Sequence, residues 1–191
     1  VRDSSDVVIE QVGTDFTFSS GIGVWDTQND GHGTERIQIR KCTVRHANQL
    51  RLKHDGYEDA EAPHEAVSVG GAVDFVVEDN VVVDGFKEGI TVKETSARGR
   101  VRRNTVTNMA RQGIYVGAWG GAVDGITVSD NVVRDNAGAG IVLGVEDKNA
   151  VNQNIRVANN TVEHNQGTGI WLSRFGDGPQ RNIRIEKNTV R

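Results

Sequence analysis

The sequence predicts an all-β fold, a right-handed parallel β-helix of about six to seven coils with three short strands per coil. Three observations predict it. A phrase recurs: apolar-x-apolar, two residues, Asn-x-Val, a polar stretch, then Gly-Ile-x-apolar. Its Asn falls at Asn80, Asn104, Asn131, Asn160 and Asn188, in steps of 24, 27, 29 and 28 residues. Its Gly-Ile pair, at Gly89-Ile90, Gly113-Ile114, Gly140-Ile141 and Gly169-Ile170, keeps step with it. Two series advancing together mean one repeating unit with variable loops.

Each piece of the unit reads as a strand. Ile126-x-Val128, Ile155-x-Val157 and Ile183-x-Ile185 alternate with period two, as do Ile90-x-Val92, Ile114-x-Val116 and Ile141-x-Leu143. Alternating β-branched residues bounded by Gly, Asn and Asp are strand signals. No sustained helical stripe competes, and Pro63 and Pro179, the two prolines, fall in inferred loops. A single coil cannot bury its own apolar side, so coils stack at roughly 4.8 Å and share a column of Ile and Val.

The opening third spells the unit loosely. Val7-x-Ile9 begins a coil and Gly21-Ile22-Gly23-Val24 closes it. Ile37-x-Ile39, Cys42-Thr43-Val44 and Ala66-Val67-Ser68-Val69 form the next. Between them lies a polar insertion at about residues 46–65. Cys42 stands where other coils carry Asn and, as the lone cysteine, excludes an internal disulfide. The Asn series should form a hydrogen-bonded ladder, because Asn tolerates left-handed angles and bonds neighbouring backbone.

The 191 residues read as a single domain with a continuous core. A net charge of −4 gives no general affinity for nucleic acid, and no apolar run is long enough to span a membrane. The chain begins at Val1-Arg2-Asp3 and stops mid-phrase at Asn188-Thr189-Val190-Arg191, so we expect a segment of a longer protein. The coil ends then need caps: missing chain segments, another domain or another subunit.

Val-Glu-Asp-Asn80-Val, Arg-Arg-Asn104-Thr-Val, Ser-Asp-Asn131-Val-Val, Ala-Asn-Asn160-Thr-Val and Glu-Lys-Asn188-Thr-Val, with their Gly-Ile strands, resemble the repeat of pectate-lyase-like proteins. The resemblance is close over residues 66–191 and looser before. It implies a secreted or cell-surface protein of bacterial type whose partner is a polysaccharide. It also implies that substrate lies along the Gly-Ile strands. The superfamily hosts lyases, hydrolases, epimerases and inert shafts, so fold alone does not choose an activity.

On that face Ile points inward and its neighbour outward. The outward column is Gly23, Ser68, Thr91, Tyr115, Val142 and Trp171, followed by Trp25, Gly70, Lys93, Gly117, Gly144 and Ser173. Neither holds a carboxylate, which disfavours a glycoside hydrolase unless loops supply both acids, from residues such as Glu94, Asp124, Glu146 and Asp177. Lys93 and Tyr115 are base- or acid-capable and about one coil apart. A polysaccharide lyase needs such groups to remove the C5 proton of a uronic acid and protonate the leaving oxygen. Arg111 completes the candidate catalytic set by neutralising the carboxylate.

Trp119, Trp171, Thr91, Arg98 and Arg174 are candidate substrate-binding residues, the two tryptophans by stacking on sugar rings. Glu65 and Glu88 precede matching strands and should stack one coil apart. They splay, share a proton, or bind Ca²⁺, the one cofactor the pattern suggests. His54, Asp55 and His64 lie near them in sequence. Arg100, Arg156 and Arg184 should share a column with Glu78 and Glu186 in reach. Asp30-Gly31-His32-Gly33 resembles an element of polygalacturonases whose remaining residues are absent, and the Asp-Pro-His element of mannuronan epimerases is missing. A non-catalytic binding module or shaft is the alternative that the carboxylate-free columns leave open.

Overall fold

The computed structural model describes residues 1–49 and 64–191. It is a parallel β-solenoid built from three sheets, with no helix among the described residues. One sheet stacks Ile22–Trp25, Val67–Gly70, Ile90–Lys93, Ile114–Ala118, Ile141–Val145 and Ile170–Arg174. Its register is the one the repeat implies: Ile22, Val67, Ile90, Ile114, Ile141 and Ile170 lie side by side. The second sheet carries the apolar-x-apolar strands and the third the Asn-x-Val strands, such as Val81–Val83 and Thr105–Thr107. The predicted coil of three strands is the observed one.

The inward residues of all three sheets form one apolar column, from Ile22 and Val24 to Ile155, Val157 and Val162. Cys42 is part of it. β-Branched side chains are stiff and suit a pleated, packed surface, which is why Ile and Val recur.

The asparagine ladder runs down one corner. Asn80 donates from its backbone N–H and its Nδ2 to Oδ1 of Asn104, at 3.0 and 2.9 Å. Asn104, Asn131 and Asn160 repeat the pattern onto Asn131, Asn160 and Asn188. Cys42 N–H joins the top of the ladder by donating to Asn80 Oδ1. One expectation needs correction. The left-handed residue is not the ladder Asn but the one before it: Asp79, Arg103, Asp130, Asn159 and Lys187. That residue turns the chain and sends its side chain to solvent, while the Asn, already back in extended geometry, points inward. A second ladder, Asn136 onto Asn165, joins Met109 N–H at the next corner.

The Gly before each Ile is also explained by contact rather than by angle. A Cβ on Gly113 would strike Val133 of the adjacent coil, and the equivalent glycines meet the equivalent valines.

Candidate functional site

The outer side of the Gly-Ile sheet carries a cleft of about 740 Å³. Three kinds of position line it. The residues just before the strands provide Glu65, Lys87, Glu88, Arg111 and Gln112. The strands provide Thr91, Lys93 and Tyr115. The segments after them provide Glu94, Trp119, Glu146 and Phe175. The coil register brings them together. Ala66 and Gly89 donate to the carbonyls of Glu88 and Gln112, so Glu65, Glu88 and Gln112 follow one another on successive coils.

Lys93, Tyr115 and Arg111 therefore share one cleft with Glu65 and Glu88. The outward strand columns are free of carboxylates, as their letters require, yet the cleft as a whole is not. Glu65, Glu88, Glu94 and Glu146 reach it from the strand ends. The strands supply no carboxyl group, and the segments flanking them supply four, Glu94 and Glu146 among them as the loop-borne alternative allowed.

Glu65 is buried. Ser68 Oγ donates to it at 2.6 Å and Lys93 Nζ at 3.1 Å. Burial alone would push this carboxyl up; Lys93 and Ser68 outweigh burial and hold it below its ordinary value. Lys93 lies 4.9 Å above the ring of Trp25, a cation–π contact. Trp25 in turn packs on His64, whose pKa burial and Lys93 lower. Lys93 is thus held between Glu65 and the Trp25 ring.

Glu88 differs from its neighbour. Burial pushes its carboxyl up, the charge of Glu65 pushes further, and Arg111 opposes from 3.7 Å. Glu94 is also raised, chiefly by burial, although Asn29 donates to it at 3.0 Å. Glu65 and Glu88 stack as expected, but the nearest charges to them are Lys93 and Arg111. Among the described residues no three of His, Cys, Asp and Glu gather in a way that would hold a metal ion.

Tyr115 donates from its hydroxyl to Glu146 Oε1 at 2.7 Å. Burial, then this bond, raise the phenol well above its usual pKa, so it keeps its proton. Tyr115 lies down rather than standing in solvent. Its ring covers Gly117 and its hydroxyl reaches over Gly144, and a Cβ at either glycine would collide with it. Those glycines make room for the ring. The column expected to face solvent is accordingly buried at Ser68, Thr91, Tyr115 and Val142. Thr91 lies on the cleft floor with its hydroxyl unpartnered.

The remaining candidates separate. Trp119 is 55% exposed on the cleft wall. Trp171 does not line the cleft, although its coil supplies Phe175 to it. Arg98 is away from the cleft, gripping Asp74 through two bonds of 2.7 and 2.8 Å. Asp124 likewise bonds Gln153 and Asn154 on another face. Arg174 ends its strand in register with Val145, and its side chain lies outside the described residues. His54 and Asp55 also lie outside the described residues. Arg100, Arg156 and Arg184 share one column as expected, and Arg156 and Arg184 both reach Glu186 at 2.8 Å, but Glu78 is taken by Arg102 and Arg103 instead.

Lys87, Gln112 and Phe175 were not singled out by sequence. The signal for the first two was available: polar pairs, Lys87-Glu88 and Arg111-Gln112, stand just before Gly-Ile in consecutive coils, where later coils carry Gly138-Ala139 and Gly167-Thr168. Phe175 had none, because its loop must fold back to reach the cleft.

A family model described as right handed beta helix region matches residues 1–155. No curated protein sequence matches the chain. Among solved structures, the A-module of the mannuronan C-5 epimerase AlgE6 of Azotobacter vinelandii is similar at 11% identity and a TM-score of 0.52. The match covers 96% of this chain and 55% of that one. The A-module of AlgE4 from the same organism is similar at 14% identity and a TM-score of 0.45, over 98% and 62%. The chain thus spans little more than half the length of these structures, and at such identity the likeness concerns fold. With most of its length matched and its coils, ladder and sheets in place, the chain belongs to the right-handed β-helix family.

Proposed function

We propose that this is a carbohydrate-active β-helix domain that binds an acidic polysaccharide in the cleft and cleaves it by β-elimination. The observation that carries the reading is the convergence of Lys87, Lys93 and Arg111 with Tyr115 and two pKa-raised glutamates in one cleft. Lys87 and Arg111, beside the paired Lys93, can meet a uronate carboxylate, a group that a neutral glycan lacks. The structurally similar AlgE6 A-module is that of a mannuronan C-5 epimerase, an enzyme named for a uronate polymer, which supports this substrate class.

The roles follow from the chemistry. Arg111 and the cations beside it meet the carboxylate and stabilise the charge that develops when C5 loses its proton. Glu88 takes that proton; its raised proton affinity makes it a stronger base than an ordinary carboxylate once ionised. Tyr115, which stays protonated, donates to the departing glycosidic oxygen. The C4–O bond breaks as the C4–C5 double bond forms. Lys93 serves as a cation held by Glu65 rather than as the base.

A second reading has its own observation. Four carboxyl groups around one cleft, two of them raised, also suit glycoside hydrolysis, with Glu88 as acid and Glu146 as the second carboxyl group. Incubation with uronate polysaccharides separates the two. β-Elimination gives ends that absorb in the ultraviolet; hydrolysis gives new reducing ends without that absorbance. Binding without either product would leave a non-catalytic module and overturn the enzymatic reading.

A further inference from the structure

The loop that follows strand Ile22–Trp25 reaches over a whole coil to a residue of the cleft. Asp26 is buried and folds this loop around its own carboxylate, which accepts the backbone N–H groups of Gln28, Asp30 and Gly31 at 3.2, 3.1 and 2.9 Å. The Asp30-Gly31-His32-Gly33 element thus belongs to a turn around Asp26. Asn29, between these bonds, takes the left-handed backbone at φ 53°.

Strand Ile22–Trp25 pairs with Val67–Gly70, and Val67–Gly70 pairs with Ile90–Lys93. Asn29 nevertheless bonds the segment after the third of these strands. Its Oδ1 accepts the Thr95 N–H at 3.2 Å and the Thr95 hydroxyl at 2.9 Å. A backbone N–H can only donate, so this end of the amide is the oxygen and the other end is the NH₂ group. That group donates to Glu94 Oε2 at 3.0 Å. The coil between them makes room by carrying Gly70-Gly71. A Cβ on Gly71, itself at φ +69°, would stand 2.7 Å from Asp26 Cβ and 3.3 Å from Asn29 Oδ1, and one on Gly70 would stand 3.3 Å from Glu94 Cγ.

Glu94 lines the cleft, yet neither reading of the reaction gives it a role. Glu65 is bonded by Lys93 and Ser68, and Glu146 by Tyr115. Glu94 Oε2 is taken by Asn29, while Oε1 has no protein donor among the described residues. The cleft is also polarised. Lys87 and Arg111 stand before the strands and Glu94 and Glu146 after them, across a strand of four residues, roughly 13 Å long. A 1,4-linked uronate ring is polarised in the same way. Its carboxylate is on C5 and, with C1 and C4 in linkages, its free hydroxyls are on C2 and C3, across the ring. A carboxylate oxygen without a donor is a strong acceptor for such a hydroxyl.

We infer that Glu94 is a specificity-determining residue that accepts the C2 or C3 hydroxyl of the uronate, with Asn29 as the positioning residue that turns Oε1 toward it. The inference rests on the reading of the cleft as a uronate site. Titration calorimetry tests it by comparing a uronate oligosaccharide with the same one O-methylated at C2 and C3, which removes the donors. A Glu88→Gln background stops turnover under either reading of the reaction. The free form should bind about tenfold more tightly than the methylated one. Glu94→Gln should abolish this preference, because Asn29 would hold the amide oxygen and leave only the NH₂ group toward the sugar. Asn29→Ala should reduce it, and both variants should bind the methylated form as the background does. Asn29→Asp keeps the acceptor for Thr95 but repels Glu94, and gives the same readout if Asn29→Ala does not fold.

Equal binding of the two forms by the background, or a preference that survives Glu94→Gln, would overturn the role of Glu94 and leave the cleft reading standing. A preference lost in Glu94→Gln but kept in the Asn29 variants would overturn the role of Asn29. Equal weakening of both forms by these variants would overturn it too, by showing a structural effect alone. Binding of neither form by the background would sink the cleft reading and this inference together.

Discussion

Replacing Lys93 by Met should convert a paired carboxylate into an isolated one. Glu65 now receives the Lys93 ammonium at 3.1 Å and the Ser68 hydroxyl at 2.6 Å, with its side chain 11% exposed. Without Lys93 only Ser68 remains. Removing one partner of a buried pair typically costs about 3–5 kcal/mol. Because this pair opens on the cleft, water relieves part of the cost, and roughly 2–3 kcal/mol is expected at neutral pH. The pH dependence gives the stronger test. In the native protein the Glu65 carboxyl is held low, so its contribution is present above the unfolded-state pKa and is lost as pH falls through the folded one. In Lys93→Met burial, the largest influence on this carboxyl, is opposed mainly by Ser68 and raises that pKa. A raised carboxyl favours the folded state when protonated, so the penalty should shrink in mild acid. Urea unfolding at neutral and mildly acidic pH measures it, and adding Glu65→Gln should restore most of the loss. A penalty that is absent, or that is the same at both pH values, would refute the reasoning.

Asn104→Ala should cost roughly 2–4 kcal/mol, because it leaves the Asn80 N–H and Nδ2 without their acceptor inside the coil. Denaturant midpoints of the parent and the variant measure it. Gly144→Ala should push the Tyr115 hydroxyl off Glu146 and, like Tyr115→Phe, lower turnover by roughly a hundred- to ten-thousandfold while the circular dichroism of the β-fold persists. Glu88 has a folded pKa above its unfolded value, so its contribution is full in acid and lost as pH rises through the ordinary carboxylate range to the raised one. Glu88→Gln should flatten that fall in a stability–pH profile.

The coil was legible in the sequence because its cause is periodic. Ile114 and Val116 must point inward whatever their neighbours do, and Asn104 must meet Asn131 once the register is set. The stacking of Glu65 on Glu88 was legible for the same reason. The cleft was legible only in part, because its details depend on contacts between coils that no spacing encodes. Tyr115 reads as an outward ring, yet Gly117 below it and Gly144 beside it give it somewhere to lie, and it is buried. Arg98 reads as a rim cation, yet Asp74 on the preceding coil claims it. Glu146 was one of several loop acids until the loop's path placed it on the Tyr115 hydroxyl.

The cleft takes its parts from a run of successive coils, from the one that ends in Val67–Gly70 to the one that supplies Phe175. In a solenoid each coil is held chiefly by its neighbours, so the cleft exists only while every interface along that run is closed. Opening one of them would part Glu65 and Lys93 from Tyr115 and Glu146 without unfolding the coils on either side. The site is thus as durable as the weakest interface beneath it, whatever the stability of the stack as a whole.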